Sequence, residues 1–315
     1  MVGGCKGHLK YPMSKLLILS KNEKQYLALL GTAGLPELEV VTTPAADCDI
    51  TFGEPDKIRE ALPHLSSLRW AQATWAGVEP LLDPSLRRDY ILTNARRVFG
   101  PWMSEYVFAY LLLHERRVLQ RLENQHRHLW DRTITGTLRG RTLGLLGVGS
   151  IGAHLAGTAR HFGMTVHGYT RASEACPEVD AWFHTDLPGF AAGLDYLVCV
   201  LPGTPATRHM LDARVIGALP AHALLVNVGR GAVLDEAALD AALRAGRLAG
   251  AVLDVFEQEP LPPGHFLWET PDLFITSHTA APSLPEEILK VFIENYDLYR
   301  KGESLKYRVD FERGY

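Results

Sequence analysis

The chain has 315 residues, of which 47% are hydrophobic and 22% charged, and its formal net charge is −4. This length predicts about two domains with cores of their own, and the slightly acidic charge gives no reason to expect a nucleic-acid partner. No apolar run reaches the roughly 18 residues that span a bilayer, and the start of the chain lacks the apolar stretch of a signal peptide. The cysteines have no CxxC spacing, which argues against a zinc or disulfide framework and favours the cytoplasm: Cys5, Cys48, Cys176 and Cys199.

The first third of the chain alternates strand and helix patterns. A buried strand is predicted at residues 15–19, so the residues before Met13 are interpreted as an extension without a structural role. A helix, two strands, a helix and two strands follow in the segments EKQYLALLGTAG, ELEVVTT, CDITFGEP, DKIREAL, LRWAQATWAG and YILTNA. This alternation predicts a parallel sheet with helices on both faces.

A second series of strands and helices follows a long amphipathic helix. The segment PWMSEYVFAYLLLHERRVLQRLENQ predicts that helix, with a proline near its start, and RHLWDRTITGTLRGR predicts a loop. Strands are predicted in TLGLLGVG, MTVHGYT, LDYLVCVLP, ALLVNVG, LAGAVLDVF and LFITSHTA, and a last helix in LPEEILKVFIENYDLYRK. We therefore predict an α/β fold with two Rossmann-like parallel-sheet domains. Residues 100–281 form the NAD(P)-binding domain, inserted in a substrate domain built from residues 1–99 and 282–315.

The segment GVGSIG fits the dinucleotide-binding pattern G-x-G-x-x-G between a predicted strand and a predicted helix. Gly147 permits the tight turn, Gly149 lets the backbone approach a pyrophosphate, and Gly152 lets the helix pack closely on the strand. Ser150 and Ile151 open the helix, whose free N–H groups face the phosphates. A turn without a ligand is the alternative, and the strand–turn–helix context argues against it.

The acidic residue that usually contacts the ribose of NAD is missing from this segment. Thr170 and Arg171 stand at the end of the next predicted strand. A carboxylate there would repel the 2′-phosphate of NADP, whereas threonine can donate a hydrogen bond and arginine has a donor fork suited to phosphate. We therefore expect a preference for NADPH, with NADH also possible. The alternative is that Arg171 is an exposed loop charge and that both cofactors are accepted.

Three later segments, NVGRGAVLDEAAL, LDVFEQEPLP and TSHTAAPS, resemble motifs of the D-isomer-specific 2-hydroxyacid dehydrogenases. The resemblance extends over nearly the whole chain, and the ending VDFERGY is similar to the glyoxylate/hydroxypyruvate reductase A type. It implies catalytic roles for Arg230, Glu259 and His278. It also implies that Asp254 holds the nicotinamide carboxamide. Further cofactor contacts are expected at and after the end of the strand LDYLVCV: Leu201, Pro202 and Thr207.

The chemistry of the three catalytic candidates is coherent by itself. Arg230 can bind the carboxylate of a 2-oxo acid and polarise the adjacent carbonyl. His278 can protonate the carbonyl oxygen as hydride arrives from the nicotinamide. Glu259, if it hydrogen-bonds His278, favours the imidazolium and raises its pKa.

The segment ATWAGVEPLL resembles the glycine loop that grips the substrate carboxylate in this family. Backbone N–H groups of Ala76 and Gly77 would bind the substrate there, because glycine permits a close approach of the backbone. Trp75 is large for such a loop, which favours small substrates. Packing of Trp75 in the core is an equally good alternative.

These inferences predict reduction of glyoxylate and hydroxypyruvate to glycolate and D-glycerate, with no metal, membrane or nucleic acid involved. The resemblance implies a homodimer whose interface includes an arm with Trp130. D-lactate-type and phosphoglycerate-type dehydrogenases are the rival activities; a formate dehydrogenase is disfavoured because such relatives lack the counterpart of Glu259. From another class, a dehydrogenase-like corepressor or redox sensor would keep the same three residues, but usually carries added tails and an NAD-type acid.

Overall fold

The computed structural model describes residues 13–171 and 174–314, so the predicted extension before Met13 lies outside the described residues. The described chain divides into two compact units. The first comprises residues 13–98 and 283–314, and the second residues 99–282. Along the described chain, no helix is long and apolar enough to cross a membrane.

The helices and strands follow in chain order, with short 3-10 turns between some of them. The first series is β1 (Ser14–Leu19), α1 (Glu23–Ala33), β2 (Leu38–Val41), β3 (Ile50–Gly53), α2 (Pro55–Ala61), β4 (Trp70–Ala73), β5 (Ile91–Thr93), α3 (Gly100–Glu115) and α4 (Val118–His126). The second is β6 (Thr142–Leu146), α5 (Ser150–His161), β7 (Thr165–Tyr169), β8 (Ala181–Phe183), α6 (Leu187–Ala191), β9 (Tyr196–Cys199), α7 (Ala213–Ala218), β10 (Leu224–Asn227), α8 (Glu236–Arg244), β11 (Gly250–Leu253), β12 (Leu273–Ile275) and α9 (Pro285–Lys301).

The first unit is built on a parallel sheet with strand order β2-β1-β3-β4-β5. Helix α9 returns to this sheet from the far end of the chain, and the ring of Phe292 stacks on that of Trp70 at 5.1 Å between centroids. Asn295 of the same helix donates from Nδ2 to Gln72 Oε1 at 3.2 Å. Buried aromatic and polar contacts therefore join the C-terminal helix to the N-terminal sheet.

The second unit has a parallel sheet with strand order β12-β11-β10-β9-β6-β7-β8. The order along the chain reverses between β6 and β9, and ligands of open α/β sheets bind outside the carboxyl ends of the strands at such a switch point. Apolar side chains pack on both faces of the strands, as their near-continuous burial requires. The predicted α/β class with two parallel sheets is confirmed.

The predicted long helix is wrong in one respect, because the chain forms two helices there. Helix α3 ends at Glu115, and Arg117 adopts a left-handed conformation with φ of 47° before α4 begins. The buried Glu115 carboxylate accepts a hydrogen bond from the Tyr196 hydroxyl and forms an ion pair with Arg141, whose Nε lies 3.1 Å away. These contacts hold the end of α3 against strand β9. They come from residues distant in sequence, and no glycine or proline marks the break.

Candidate active site

The glycine turn connects β6 to α5 at the switch point. Gly147 has φ of +99°, and a Cβ added at Gly152 would lie 2.4 Å from the carbonyl oxygen of Gly147, so the fold itself requires both glycines. A Cβ at Gly149 would meet no atom within 4 Å. The fold itself leaves this position open, and the open space fits the predicted pyrophosphate.

The first turn of α5 faces this open space with unpaired donors. The first hydrogen bond of the helix runs from Ala153 N to Gly149 O at 2.9 Å. The N–H groups of Ser150, Ile151 and Gly152 therefore have no partner within the helix. Together with the helix dipole, these N–H groups favour a negatively charged group at this position.

Thr170 and Arg171 lie beside the glycine turn, at the carboxyl end of β7. Strands β6 and β7 pair through Leu146 and Tyr169, and Gly147 N donates to Tyr169 O at 3.1 Å. The backbone N–H of Thr170 donates to Phe183 O at 3.0 Å, and Arg171 is exposed. The charge of Arg171 is thus exposed just after the carboxyl end of β7, beside the glycine turn.

The segment after β9 lines the other side of the turn. The side chain of Leu201 would lie 3.0 Å from a Cβ at Gly147, so Leu201 and the following Pro202 border the dinucleotide turn. Thr207 is 2% exposed, and its hydroxyl donates to Pro202 O at 2.7 Å and accepts from Thr204 N at 2.9 Å. Its hydroxyl therefore holds the loop in shape.

His278 and Glu259 form a hydrogen-bonded pair. Nδ1 of His278 lies 2.8 Å from Oε2 of Glu259, and the second carboxylate oxygen accepts from Phe256 N at 3.0 Å. The hydrogen bond that His278 donates to Glu259 raises the pKa of His278 and outweighs the opposing effect of burial. Burial acts to raise the pKa of Glu259, but the hydrogen bonds from His278 and Phe256 overcome it and lower that pKa. The pair therefore favours imidazolium beside carboxylate.

Asp254 holds the loop that carries His278. Its carboxylate is 2% exposed and accepts from the Thr276 hydroxyl at 2.5 Å and from the backbone N–H groups of Thr279 and Ala280 at 2.8 and 2.9 Å. The backbone N–H of His278 donates to Asp254 O at 2.8 Å. These bonds fix a histidine whose φ is +54°, an uncommon conformation for a residue with a side chain. The buried carboxylate of Asp254 can accept a further hydrogen bond, such as one from a carboxamide N–H.

Arg230 follows β10 and lies close to this pair. Its positive charge lowers the pKa of Glu259 and acts against the raised pKa of His278. Asn227 Nδ2 donates to Arg230 O at 3.1 Å, which orders the loop. A Cβ at Gly231 would lie 1.8 Å from the carbonyl carbon of Phe256, so the glycine after the arginine lets its loop pack against the Glu259 loop. The structure thus brings together the three residues predicted to be catalytic.

The predicted substrate loop follows β4 in the first unit. Asn94 Nδ2 donates to Ala76 O at 2.6 Å, and Trp75 O accepts from Ala95 N at 3.1 Å. Trp75 is 36% exposed, so the alternative that it packs in the core is wrong. Next to this loop, Thr74 Oγ1 and Asn94 Oδ1 are buried polar atoms without a hydrogen-bond partner among the described residues. Buried polar atoms of this kind usually form a hydrogen bond with a ligand or an ordered water.

Sequence reasoning missed the polar residues that support the site. Tyr106 OH lies 2.6 Å from Thr276 Oγ1, which extends the Asp254 contacts to helix α3. Glu236 accepts from Glu257 N at 2.9 Å and so holds the other end of the Glu259 loop. The one sequence signal in this region is Asp235, a residue type typical of helix N-caps. In the structure it caps α8, and its side chain accepts a hydrogen bond from Ala238 N at 3.0 Å.

A dinucleotide turn and an arginine–glutamate–histidine cluster thus occupy the carboxyl ends of strands in one sheet, as in an NAD(P)-dependent dehydrogenase. Residues 108–280 match the family model described as D-isomer specific 2-hydroxyacid dehydrogenase, NAD binding domain. The chain belongs to the D-isomer specific 2-hydroxyacid dehydrogenase family. The family resemblance predicted from the sequence motifs is therefore confirmed.

Similar proteins cover almost the full chain. Glyoxylate/hydroxypyruvate reductase A of Yersinia enterocolitica is 32% identical over 294 residues, which are 91% of this chain and 93% of that protein. The crystal structure of a family member from Aeromonas salmonicida has 41% identity and a TM-score of 0.88, and covers 95% of this chain and 99% of its own. An NADPH-dependent glyoxylate/hydroxypyruvate reductase from Sinorhizobium meliloti, in complex with NADP and sulfate, has 28% identity and a TM-score of 0.83, with 96% and 100% covered.

Proposed function

We propose that this protein is an NADPH-preferring reductase of small 2-oxo acids, with glyoxylate and hydroxypyruvate as substrates and glycolate and D-glycerate as products. The observation that carries the proposal is the His278–Glu259 pair beside Arg230, in the same sheet as a dinucleotide turn followed by Thr170 and Arg171. The names of the relatives from Yersinia enterocolitica and Sinorhizobium meliloti support both the substrates and the cofactor.

The second unit would hold NADPH along the carboxyl ends of its strands. The N–H groups at the start of α5 would bind the pyrophosphate, Thr170 and Arg171 the 2′-phosphate, and Asp254 the nicotinamide carboxamide. Contacts from Leu201, Pro202 and Thr207 would complete the site. When bound, the reduced nicotinamide supplies a hydride to the carbonyl carbon of the oxo acid.

The side chains of this unit supply the charge and the proton that the reaction needs. Arg230 binds the substrate carboxylate and polarises the carbonyl oxygen, where negative charge develops. His278 donates the proton on Nε2 to that oxygen, while Nδ1 keeps its hydrogen bond to Glu259. Glu259 stabilises the imidazolium before the transfer and fixes the orientation of the ring, and so acts through His278.

The first unit would bind the substrate carboxylate through the N–H groups of Ala76 and Gly77. The partly exposed indole of Trp75, a large side chain for this loop, supports a preference for small substrates.

We further propose a homodimer formed through α4 and the arm that follows it. Large apolar side chains are exposed there to between 45% and 93%, more than a monomer usually leaves in one region: Val118, Leu119, Leu122, Leu129, Trp130 and Ile134. A second copy of the chain would cover them. Light scattering after gel filtration tests this, and replacement of Leu122 and Trp130 by serine should shift the mass to that of a monomer.

We also infer a cytoplasmic enzyme, which the free, buried thiols of Cys48, Cys176 and Cys199 support.

Initial rates measured in parallel test the activity. NADPH and NADH oxidation would be followed with glyoxylate, hydroxypyruvate and pyruvate at a series of concentrations. The proposal predicts the highest kcat/KM for NADPH with the first two acids. Faster turnover of pyruvate would favour a D-lactate-type enzyme, and no turnover with any of the three would favour a nucleotide-binding corepressor or sensor.

A further inference from the structure

His184 lies directly after β8, beside the carboxyl end of β7. Its Nδ1 lies 2.8 Å from the carbonyl oxygen of Thr170, and its Nε2 lies 2.7 Å from Oε1 of Glu174. A backbone carbonyl and a carboxylate can only accept hydrogen bonds, so both ring nitrogens must carry a hydrogen. The geometry therefore favours an imidazolium ion at this position. The same two hydrogen bonds raise the pKa of His184.

Glu174 stands close to the position where sequence analysis found the usual acid missing. The two hydrogen bonds and the width of one imidazole ring place its carboxylate within about 8 Å of the Thr170 carbonyl, about one Debye length at physiological salt. An unpaired carboxylate so close to the end of β7 would repel a 2′-phosphate bound there, in the way that the usual ribose-binding acid does. The charge of Glu174 therefore works against the preference that Thr170 and Arg171 favour.

We propose that His184 is a specificity-determining residue, which neutralises and holds Glu174 so that the carboxyl end of β7 accepts a 2′-phosphorylated adenosine. The inference rests on the proposed preference for NADPH and deepens it by naming a second cation, with a role different from that of Arg171. Arg171 would bind the phosphate itself, whereas His184 removes a repulsion.

The surrounding charges support this division of roles. Burial raises the pKa of Tyr169 at the end of β7; the nearby charge of Arg171 opposes that rise, and the charge of Asp186 adds to it. Asp186 is occupied as the N-cap of α6, where its carboxylate accepts from Gly189 N at 2.9 Å. Glu174 is the acidic side chain that acts on His184, and it does so in direct contact. Whether Glu174 repels a 2′-phosphate thus depends on its ion pair with His184.

Binding of nucleotide fragments tests the inference without turnover. Isothermal titration calorimetry on the full-length protein would compare adenosine 2′,5′-bisphosphate with 5′-AMP, which differ only in the 2′-phosphate. The variants are His184→Ala, Glu174→Gln and the double variant. His222→Ala is the matched control, because it breaks an exposed His–Asp pair, 2.9 Å long, at the amino ends of β9 and β10.

We expect His184→Ala to weaken binding of the bisphosphate about three- to tenfold, with little change for 5′-AMP, because the freed carboxylate of Glu174 repels the extra phosphate. Glu174→Gln should bind the bisphosphate at least as tightly as the wild type. The double variant should bind like Glu174→Gln, since no charge then remains to be neutralised. His222→Ala should bind both fragments like the wild type.

The outcomes separate this inference from the proposed function. If the wild type binds the two fragments equally, the preference for NADPH is wrong and the inference fails with it. If the wild type prefers the bisphosphate but His184→Ala keeps that preference, only the inference is overturned. The same holds if the double variant stays as weak as His184→Ala, because the loss would then not pass through Glu174.

Discussion

The imidazole of His278 is fixed through its Nδ1, which lies 2.8 Å from Oε2 of Glu259. Glu259 is itself anchored by Phe256 N, and the backbone of the histidine loop is anchored by the buried Asp254. The ring is therefore held both through its side chain and through its backbone. Only Nε2 remains to exchange a proton with a substrate, which is the arrangement that a general acid requires.

The rate of reduction should depend on pH through His278. The hydrogen bond to Glu259 raises the pKa of this histidine above its ordinary value of 6.5. Reduction needs the protonated ring, so kcat/KM should be constant below the raised pKa and fall as pH increases through it. Glu259→Gln removes the charged partner and should shift this fall to lower pH. An unchanged pH profile of the variant would contradict the role of Glu259.

His278→Ala should remove turnover and leave the cofactor bound. Loss of a general acid lowers kcat by roughly 10²- to 10⁴-fold, and the residue does not belong to the dinucleotide turn. Single-turnover kinetics with hydroxypyruvate and calorimetric titration with NADPH would measure the two effects separately. His222→Ala, which removes an exposed histidine paired with Asp195 at 2.9 Å, serves as the control. A wild-type rate in His278→Ala would exclude the proposed acid.

Arg171→Ala should affect the two cofactors differently. The exposed guanidinium at the end of β7 would contact only the 2′-phosphate, so we expect KM for NADPH to rise about tenfold and KM for NADH to change little. Arg214→Ala, which removes an exposed arginine paired with Asp212 at 3.0 Å, provides a control of equal charge. Equal effects of Arg171→Ala on both cofactors would mean that this arginine is an exposed loop charge that does not contact the 2′-phosphate.

Local patterns were sufficient where the chemistry itself is local. Each of three features directly follows a strand: the glycine turn, the position after β7 where Thr170 replaces the usual acid, and the loop with Arg230. A short segment of sequence therefore contains both the strand and the residues of interest. The break between α3 and α4 was not predictable in this way, because Glu115 is held by Tyr196 and Arg141, which are distant along the chain.

The His184–Glu174 pair was missed for a different reason. Strand β8 has three residues, Ala181–Phe183, too few for a period of two to be recognised. Its position depends on pairing with β7, through contacts such as Gly168 with Trp182. The role of His184 therefore became visible only once the order of the strands was known.

The glycine turn provides a matched pair of variants that separates binding from folding. Gly149→Ala places a methyl group in open space, at a backbone φ of −86° that alanine can adopt, so the melting temperature should stay unchanged. The same methyl group would occupy the path of the pyrophosphate, and the Kd for NADPH should rise at least about tenfold, which is 1.4 kcal/mol.

Gly152→Ala should instead lower the stability of the fold. Its Cβ would lie 2.4 Å from the carbonyl oxygen of Gly147, and helix α5 can relieve this contact only by moving away from β6. We expect a loss of about 1–3 kcal/mol in the free energy of unfolding, as for other overpacked sites. Chemical denaturation and NADPH titration of both variants would measure the pattern. If Gly149→Ala bound NADPH like the wild type, the pyrophosphate would not pass over this residue, and the assignment of the turn as its binding site would fail.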